Sequence, residues 1–170
     1  MRGWALAGQG EAAAGVAHLR QALASPDLGP ESLRSYWLTV LAGVYGQAGQ
    51  LQAGLQVLAE AVRLMAATGM CWWEAEASRL QGALLLQLPC PDVPQAQVAF
   101  RRAMDVARCQ QAKALELRAA MSLARLWQQQ GKRDAARELL AEIYGWFTEG
   151  LDTADLQEAK GLLEEFSRAA

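Results

Sequence analysis

A helix–turn–helix layout repeated about every 40 residues is the feature that most constrains how this 170-residue chain can fold. Glycines mark the turns at Gly10, Gly49 and Gly131, and the first two lie 39 residues apart. The remaining 82 residues divide into two intervals of about 41, with the missing turn in the proline-rich stretch "LPCPDVP". Because one helix hairpin cannot bury its apolar face alone, the repeat predicts hairpins that stack into an array.

Each repeat carries small and large apolar residues at fixed places on its two helices. Small residues let the antiparallel helices of a hairpin approach closely, and large ones fill the space between hairpins. The proline-rich turn departs from this pattern, because proline removes amide donors and restricts the residue before it. The framework residues of the four segments are Gly3, Leu6, Gly15, Leu19, Ala22 and Leu23; Leu41, Ala42, Tyr45, Gly54, Leu58, Ala61 and Val62; Gly82, Leu85, Ala96, Phe100, Ala103 and Met104; and Leu123, Ala124, Trp127, Ala136, Leu140, Ile143 and Tyr144.

The residue usage favours helices throughout. Ala and Leu dominate the apolar share, whereas the strand-favouring residues are scarce, with one Ile, eight Val and four Thr. We therefore predict one all-α domain over residues 1–170, built from about four helix hairpins and a C-terminal capping helix. The repeats should cover approximately residues 1–25, 31–68, 72–109 and 113–147, and the capping helix approximately residues 152–168.

The stretch "YGWFTEGLDTADL" predicts a corner followed by that last helix. Gly150 suits a left-handed stop after a helix that ends near residues 144–147, and Asp152 or Thr153 offers an N-cap oxygen. We expect the last helix to cover the apolar end of the array, with Trp146 and Phe147 packed in the corner. A ligand pocket is the alternative. The face of the last helix that would do this covering comprises Leu156, Ala159, Leu162, Leu163 and Phe166.

Charge and composition exclude several kinds of partner. A formal charge of −2 argues against nucleic-acid binding, which depends on clustered Lys and Arg. No apolar run reaches the length of a membrane span, and the N-terminus lacks the layout of a signal peptide, so we expect a cytoplasmic protein. Cys71, Cys90 and Cys109 form no C-x-x-C pair, which favours reduced thiols over a disulfide or a zinc site.

No sequence motif predicts catalysis. The single histidine, His18, falls between framework positions, so we expect it on the surface, without a nucleophile or carboxylate partner. Nucleotide-binding, hydrolase, zinc-protease and calcium-loop motifs do not occur. The segment "GQGEAAAG" joins two helices and follows no strand, so it is not a dinucleotide fingerprint. We therefore predict a non-enzymatic chain that needs neither a cofactor nor a metal.

The layout of small, aromatic and glycine positions resembles the tetratricopeptide (TPR) repeat over nearly the whole chain. This resemblance implies a right-handed solenoid whose first helices line a concave groove. The period is longer than the usual 34 residues, and we assign the extra length to linkers such as "ASPDLGPES" and "AATGMCWWE". Of the pair Trp72–Trp73, one side chain should enter a hairpin interface and the other face the groove or solvent, although both could simply be packing residues.

The resemblance assigns the groove to non-framework residues of the first helices. Three arginines against one glutamate there favour an acidic peptide or helix as the partner, and a solvated polar face is the alternative. The groove residues predicted in this way are Tyr36, Thr39, Gln47, Trp73, Glu76, Arg79, Ala83, Gln87, Arg118, Met121, Arg125, Gln128 and Gln129.

The segments "SLARLWQQQGKRDAARELLAEIYGWFTEGLDTADLQEAKGLL" and "RGWALAGQGEAAAGVAHLRQAL" resemble the helical-repeat tail of a bacterial multidomain family. In that family a class III adenylate/guanylate cyclase domain and a large signal-transduction ATPase precede the repeats. The resemblance implies a protein-binding regulatory or scaffolding arm. The chain begins inside a first helix and so resembles a fragment, which invites a homodimer through that end. A small-molecule sensor is the other alternative.

Overall fold

The computed structural model describes residues 11–25 and 33–168, which contain eight α-helices and no β-strand. The first-helix residues Gly3 and Leu6 of the first segment and its turn at Gly10 lie outside these residues, as does most of the "ASPDLGPES" linker. The helices are α1 (Ala12–Ala24), α2 (Arg34–Gln47), α3 (Leu51–Thr68), α4 (Glu74–Gln87), α5 (Val93–Cys109), α6 (Lys113–Gln129), α7 (Arg133–Tyr144) and α8 (Ala154–Arg168).

The helices stack in chain order, each against its sequence neighbours. The first helices of successive hairpins also touch, so that α2 contacts α4, α4 contacts α6, and α6 contacts α8. The core follows this stack as two apolar clusters, one across α1 to α4 and one centred on α5 to α8. Leu58 and Met65 belong to the first cluster, and Phe100, Leu140 and Phe166 to the second; each is at most 3% exposed.

Small residues occur where two helices of one hairpin come closest, as the sequence pattern predicts. A Cβ atom on Gly82 of α4 would lie 2.6 Å from a ring carbon of Phe100 and 3.0 Å from the carbonyl oxygen of Ala96, both on α5. Real Cβ atoms do not approach other atoms so closely. Glycine at this position therefore allows the close packing of α4 against α5, the hairpin whose turn contains the prolines.

Three helix connections share one backbone conformation. Gly49, Gln111 and Gly131 each have a positive φ, at 70°, 55° and 74°. In each turn the next amide donates to a carbonyl in the last turn of the preceding helix at 2.9 Å, which closes the helix end. These donor–acceptor pairs are Gln50 to Tyr45, Ala112 to Ala107 and Lys132 to Trp127. Gln111 thus takes a conformation that usually selects glycine, and the repeat pattern did not identify it.

Two further connections, α4 to α5 and α3 to α4, differ from expectation. Residues 88–92 join α4 to α5, where the Asp92 side chain accepts the Gln95 amide at 3.0 Å and Pro94 occupies the first turn. Proline loses nothing there, because amides of the first turn have no helical partner. The "AATGMCWWE" segment is not an extended linker: α3 continues to Thr68 and α4 starts at Glu74, so only residues 69–73 connect them.

The C-terminal corner is partly as predicted. Helix α7 ends at Tyr144, and Gly150 has a φ of 67° but lies in the following loop, so it is not the glycine that stops α7. The Thr153 carbonyl accepts the Gln157 amide at 2.9 Å, which makes Thr153 the N-cap residue of α8. Phe147 packs against the core, whereas Trp146 is 59% exposed and does not fill the corner.

Helix α8 covers the last hairpin with one apolar face. Leu156, Ala159, Leu162 and Phe166 are buried, and Leu163 packs against them. Most of its remaining positions are polar or small and exposed, and they include Gln157, Glu158, Lys160, Gly161, Glu164 and Glu165. This division between faces is typical of a helix that ends an array. His18, on α1, is exposed as expected.

Candidate functional site

A groove of about 750 Å³ lies between α2 and α4 and reaches α6 at Arg118. Its volume falls in the range of pockets that hold ligands, roughly 300–1,000 Å³. The groove gathers many of the residues predicted from the sequence: Tyr36, Thr39, Gln47, Trp73, Glu76, Arg79, Ala83, Gln87 and Arg118. The sequence pattern did not single out the other lining residues, which are Trp37, Val40, Gly43, Val44, Gly46, Leu80 and Leu84.

Four aromatic rings form a cluster where α2 and α4 begin. The Tyr36 ring stacks on Trp72, with centroids 5.4 Å apart and planes 19° apart, and meets Trp37 and Trp73 edge-on at 4.9 and 5.4 Å. Such geometries are favourable beyond the area they bury. Trp73 lines the groove, whereas Trp72 is 43% exposed on the outer side of Tyr36. The pair thus divides between two environments, although both residues lie in the connection that precedes α4 rather than in a helix.

An ion-paired network forms another part of the groove lining. Glu76, only 5% exposed, accepts two hydrogen bonds from the Arg79 guanidinium at 2.9 and 2.7 Å, and Arg118 reaches the same carboxylate at 3.0 Å. Burial works to lower the pKa of Arg79, but the Glu76 carboxylate outweighs it and raises that pKa above the ordinary value. Glu76 thus holds both guanidinium groups in place through charge-assisted contacts.

The floor of the groove is nearly free of polar groups. Gly43 and Gly46 of α2 face Leu80 and Leu84 of α4 across it. Thr39 is fully buried, and its hydroxyl donates to the Ser35 carbonyl at 2.9 Å, so it is committed to its own helix. Thr39 therefore lines the groove with a hydroxyl that is already hydrogen-bonded within α2. Gln47 and Gln87 are exposed where α2 and α4 end.

The remaining predicted groove residues lie outside this groove, on α6. Arg125 is ion-paired with Glu158 of α8, and the Gln128 amide donates to Glu165 of α8 at 2.6 Å. Gln129 is exposed and Met121 is 3% exposed within the core. The acidic face of α8 therefore occupies the polar surface of α6, and these α6 residues do not form one continuous groove with those on α2 and α4.

Helix α8 also changes the charge balance of the concave surface. The sequence pattern set three arginines against one glutamate, but Glu158 pairs with Arg125, and Asp155 lies 3.9 Å from Arg118. Three carboxylates thus accompany the three arginines. The signal for this was present in the sequence, because Asp155 and Glu158 are three residues apart, on one face of a predicted helix. Arg118, with 33% of its side chain exposed, retains the most accessible guanidinium in the groove.

Other kinds of site receive no support from the part of the chain that the structure describes. In residues 11–25 and 33–168, no three His, Cys, Asp or Glu side chains are grouped to hold a metal ion. Cys71, Cys90 and Cys109 are free thiols. Among these same residues, no helix combines the length and the apolar character that a bilayer crossing requires.

Comparison with known proteins supports the fold. No protein-family model matches the sequence, and no curated protein matches it significantly. Two crystal structures of the nearly identical TPR-like repeats of a candidate kinesin light chain from Podosopora anserina are similar to this chain. One, a single-substitution variant, gives a TM-score of 0.71 and the other 0.69; each is 18% identical and covers 98% of this chain and 82% of its own. The predicted all-α, TPR-like solenoid is confirmed.

Proposed function

We propose that this chain is a protein-binding module and that its groove between α2 and α4 receives a segment of the partner. The observation that carries the proposal is the groove itself, about 750 Å³, open along two helices and lined by aromatic, apolar and charged side chains. Large aromatics and arginine are the residues that most often anchor protein interfaces. The TPR-like fold supports the proposal, because such arrays present extended concave surfaces to their partners.

Of the three arginines predicted for the groove, only one is well placed to bind an acidic partner. Arg79 is held by Glu76 through two hydrogen bonds, and Arg125 is paired with Glu158. An acidic partner therefore gains its best contact at Arg118, where the chain's own Asp155 is 3.9 Å away. The partner we propose carries acidic residues but relies on apolar contact with the groove floor for much of its affinity.

The proposed context is a regulatory or scaffolding arm of a bacterial signalling ATPase or cyclase, without catalysis of its own. The support is the resemblance of the two segments quoted above to the repeat tail of that family. A cytoplasmic location belongs to the same proposal, because free thiols are typical of a reducing compartment. The proposal also includes the division of residues 1–170 into four repeats and a capping helix, with the bounds given under the sequence analysis.

Two further candidates remain. The aromatic lining and the groove volume favour a small-molecule sensor as the second function. Self-association through the N-terminal end would place the interface on residues outside those described. Light scattering tests for the homodimer, and a thermal-shift screen with metabolites tests for the sensor, since a ligand that binds only the folded chain raises its melting temperature.

Selection from a random dodecapeptide library on the immobilised chain tests the main proposal. Peptides that bind should lose affinity on Trp73→Ala and on Arg118→Gln, and weaken as salt is raised. Arg125→Ala serves as the matched arginine control, because its partner Glu158 lies on α8 and outside the groove. Failure to enrich any peptide, or equal affinity for all three variants, would overturn the groove assignment.

A further inference from the structure

Three glycines inside the described helices have a packing reason. A Cβ atom on Gly46 would lie 2.7 Å from a methyl carbon of Leu84, and one on Gly54 would lie 2.9 Å from the other methyl of Leu84. Gly82 is closer still to its neighbours, at 2.6 Å from Phe100. At each of these positions a larger residue would force neighbouring atoms apart, so the fold itself selects glycine.

Gly43 differs from these glycines. A Cβ atom there would meet only the two methyl groups of Leu80, at 3.7 and 3.8 Å, which are ordinary contact distances. Its position inside α2 calls for a side chain, because glycine in a helix interior is destabilising relative to alanine. Helix packing therefore gives no reason for glycine at position 43, yet any side chain there would enter the groove that Gly43 lines.

We propose that Gly43 is the specificity-determining residue of an apolar subsite, which accepts a large aromatic or aliphatic side chain from the partner. Leu80, whose methyl groups lie nearest a Cβ atom at this position, and Val40, one turn earlier on α2, line the groove and offer no hydrogen-bonding side chain. An inserted apolar side chain would lie directly on the α2 backbone, an approach that only glycine allows. This inference rests on the proposed function and names the feature of the partner that the groove selects.

Charge complementarity defines the rest of the occupant. Arg118 borders the same groove, and its contact with Asp155, at 3.9 Å, is longer than its contact with Glu76, at 3.0 Å. A partner carboxylate would replace Asp155 and leave the buried Glu76 contact intact. The occupant is therefore a peptide segment with one large apolar side chain followed or preceded by a carboxylate. The apolar side chain of this peptide would occupy the subsite at Gly43, and its carboxylate would bind Arg118 outside that subsite.

The test uses the dodecapeptides selected on the wild-type chain and measures their dissociation constants by fluorescence anisotropy. Gly43→Leu fills the subsite and should weaken binding at least ten-fold. The matched control is Gly161→Leu: Gly161 is an exposed glycine within α8, a Cβ atom there meets nothing within 4 Å, and it lies outside the groove. This control should bind within two-fold of wild type.

The results of this test distinguish the subsite inference from the proposed function. Selected peptides that bind Gly43→Leu as tightly as wild type overturn the subsite but leave a peptide-binding module. Absence of any selected peptide overturns both. If Gly43→Leu unfolds, Gly43→Ala replaces it, with a melting temperature no lower than wild type and about three-fold weaker binding expected. Unchanged affinity in that variant would also refute the subsite, as would peptides that keep their affinity when their large apolar residue is replaced by alanine.

Discussion

The same substitution, glycine to alanine, should change stability in opposite directions at Gly82 and Gly43. At Gly82 the new methyl group would lie 2.6 and 2.8 Å from two ring carbons of Phe100 and 3.0 Å from the Ala96 carbonyl. Phe100 is 1% exposed, so its ring cannot retreat toward solvent, and the carbonyl belongs to the α5 backbone. The two helices must separate to accept the methyl group.

The expected magnitudes follow from this geometry. Overpacking a core typically costs about 1–3 kcal/mol, and the gain in helix propensity from glycine to alanine offsets up to about 1 kcal/mol. Gly82→Ala should therefore lower the free energy of unfolding by about 1–2 kcal/mol. At Gly43 the methyl group meets Leu80 at 3.7 Å without strain, so only the propensity gain remains, about 0.5–1 kcal/mol in favour of the variant.

Urea unfolding followed by circular dichroism at neutral pH measures both effects. The midpoint should fall for Gly82→Ala and rise for Gly43→Ala, with unchanged slopes, because neither substitution alters the surface exposed on unfolding. Wild-type stability in Gly82→Ala would show that the third hairpin is not tightly packed there. A loss of stability in Gly43→Ala would show that position 43 does have a packing constraint, and the glycine would then no longer indicate a ligand subsite.

Three further predictions concern single side chains. Burial acts to raise the pKa of the Glu116 carboxyl, but hydrogen bonds from Lys113 at 2.8 Å and Arg108 at 2.7 Å outweigh it and lower that pKa. Glu116→Gln should therefore cost about 1–3 kcal/mol at neutral pH, a difference lost as the pH falls below about 4.5 and through the folded-state pKa. Gln111→Gly should stabilise the chain by about 0.5–1 kcal/mol, because it relieves the positive φ of 55°. Phe147→Ala should cost about 1–3 kcal/mol and Trp146→Ala under about 1 kcal/mol, because Trp146 is already 59% exposed.

Urea midpoints again provide the measurement for each of these variants. For Glu116→Gln the decisive comparison is between neutral pH and a pH below the ordinary glutamate range, and a difference that persists in acid would contradict the ion-pair argument. A destabilised Gln111→Gly would mean that the glutamine side chain makes a contribution larger than the backbone strain. Equal losses at Trp146 and Phe147 would contradict the assignment of only one of them to the core.

The repeat pattern predicts the helices and the turns at Gly49 and Gly131, because periodic apolar residues and glycine punctuation are local signals. It fails where distant parts of the chain decide the structure. Gln111 adopts a positive φ in the connection between the stacked helices α5 and α6, where the local sequence offers no glycine. Nothing in the sequence around Trp146 and Phe147 shows which of the adjacent rings meets the core.

The groove residues on α2 and α4 could be predicted because the first helices of stacked hairpins face the same side. The sequence pattern did not predict that Arg125 and Gln128 lie apart from that groove. Their placement depends on contacts with acidic residues of α8 that lie more than thirty positions later in the chain. The sequence also could not show that the Thr39 hydroxyl donates to the Ser35 carbonyl. A threonine in a helix can donate either to its own backbone or to a ligand, and the sequence pattern is the same in both cases.

The arrangement of charges differs between the α2–α4 groove and the polar surface of α6. On α6, the carboxylates of α8 already neutralise Arg125 and accept from Gln128, and the buried Leu156 and Phe166 fix α8 in place, so a partner would have to break contacts there before making new ones. Between α2 and α4, no helix among the described residues covers the groove, and its floor is apolar. The proposed partner would displace only the longer contact of Arg118, with Asp155, at this end. The cost of competing with the chain's own carboxylates thus favours the α2–α4 groove over the α6 surface as the proposed binding site.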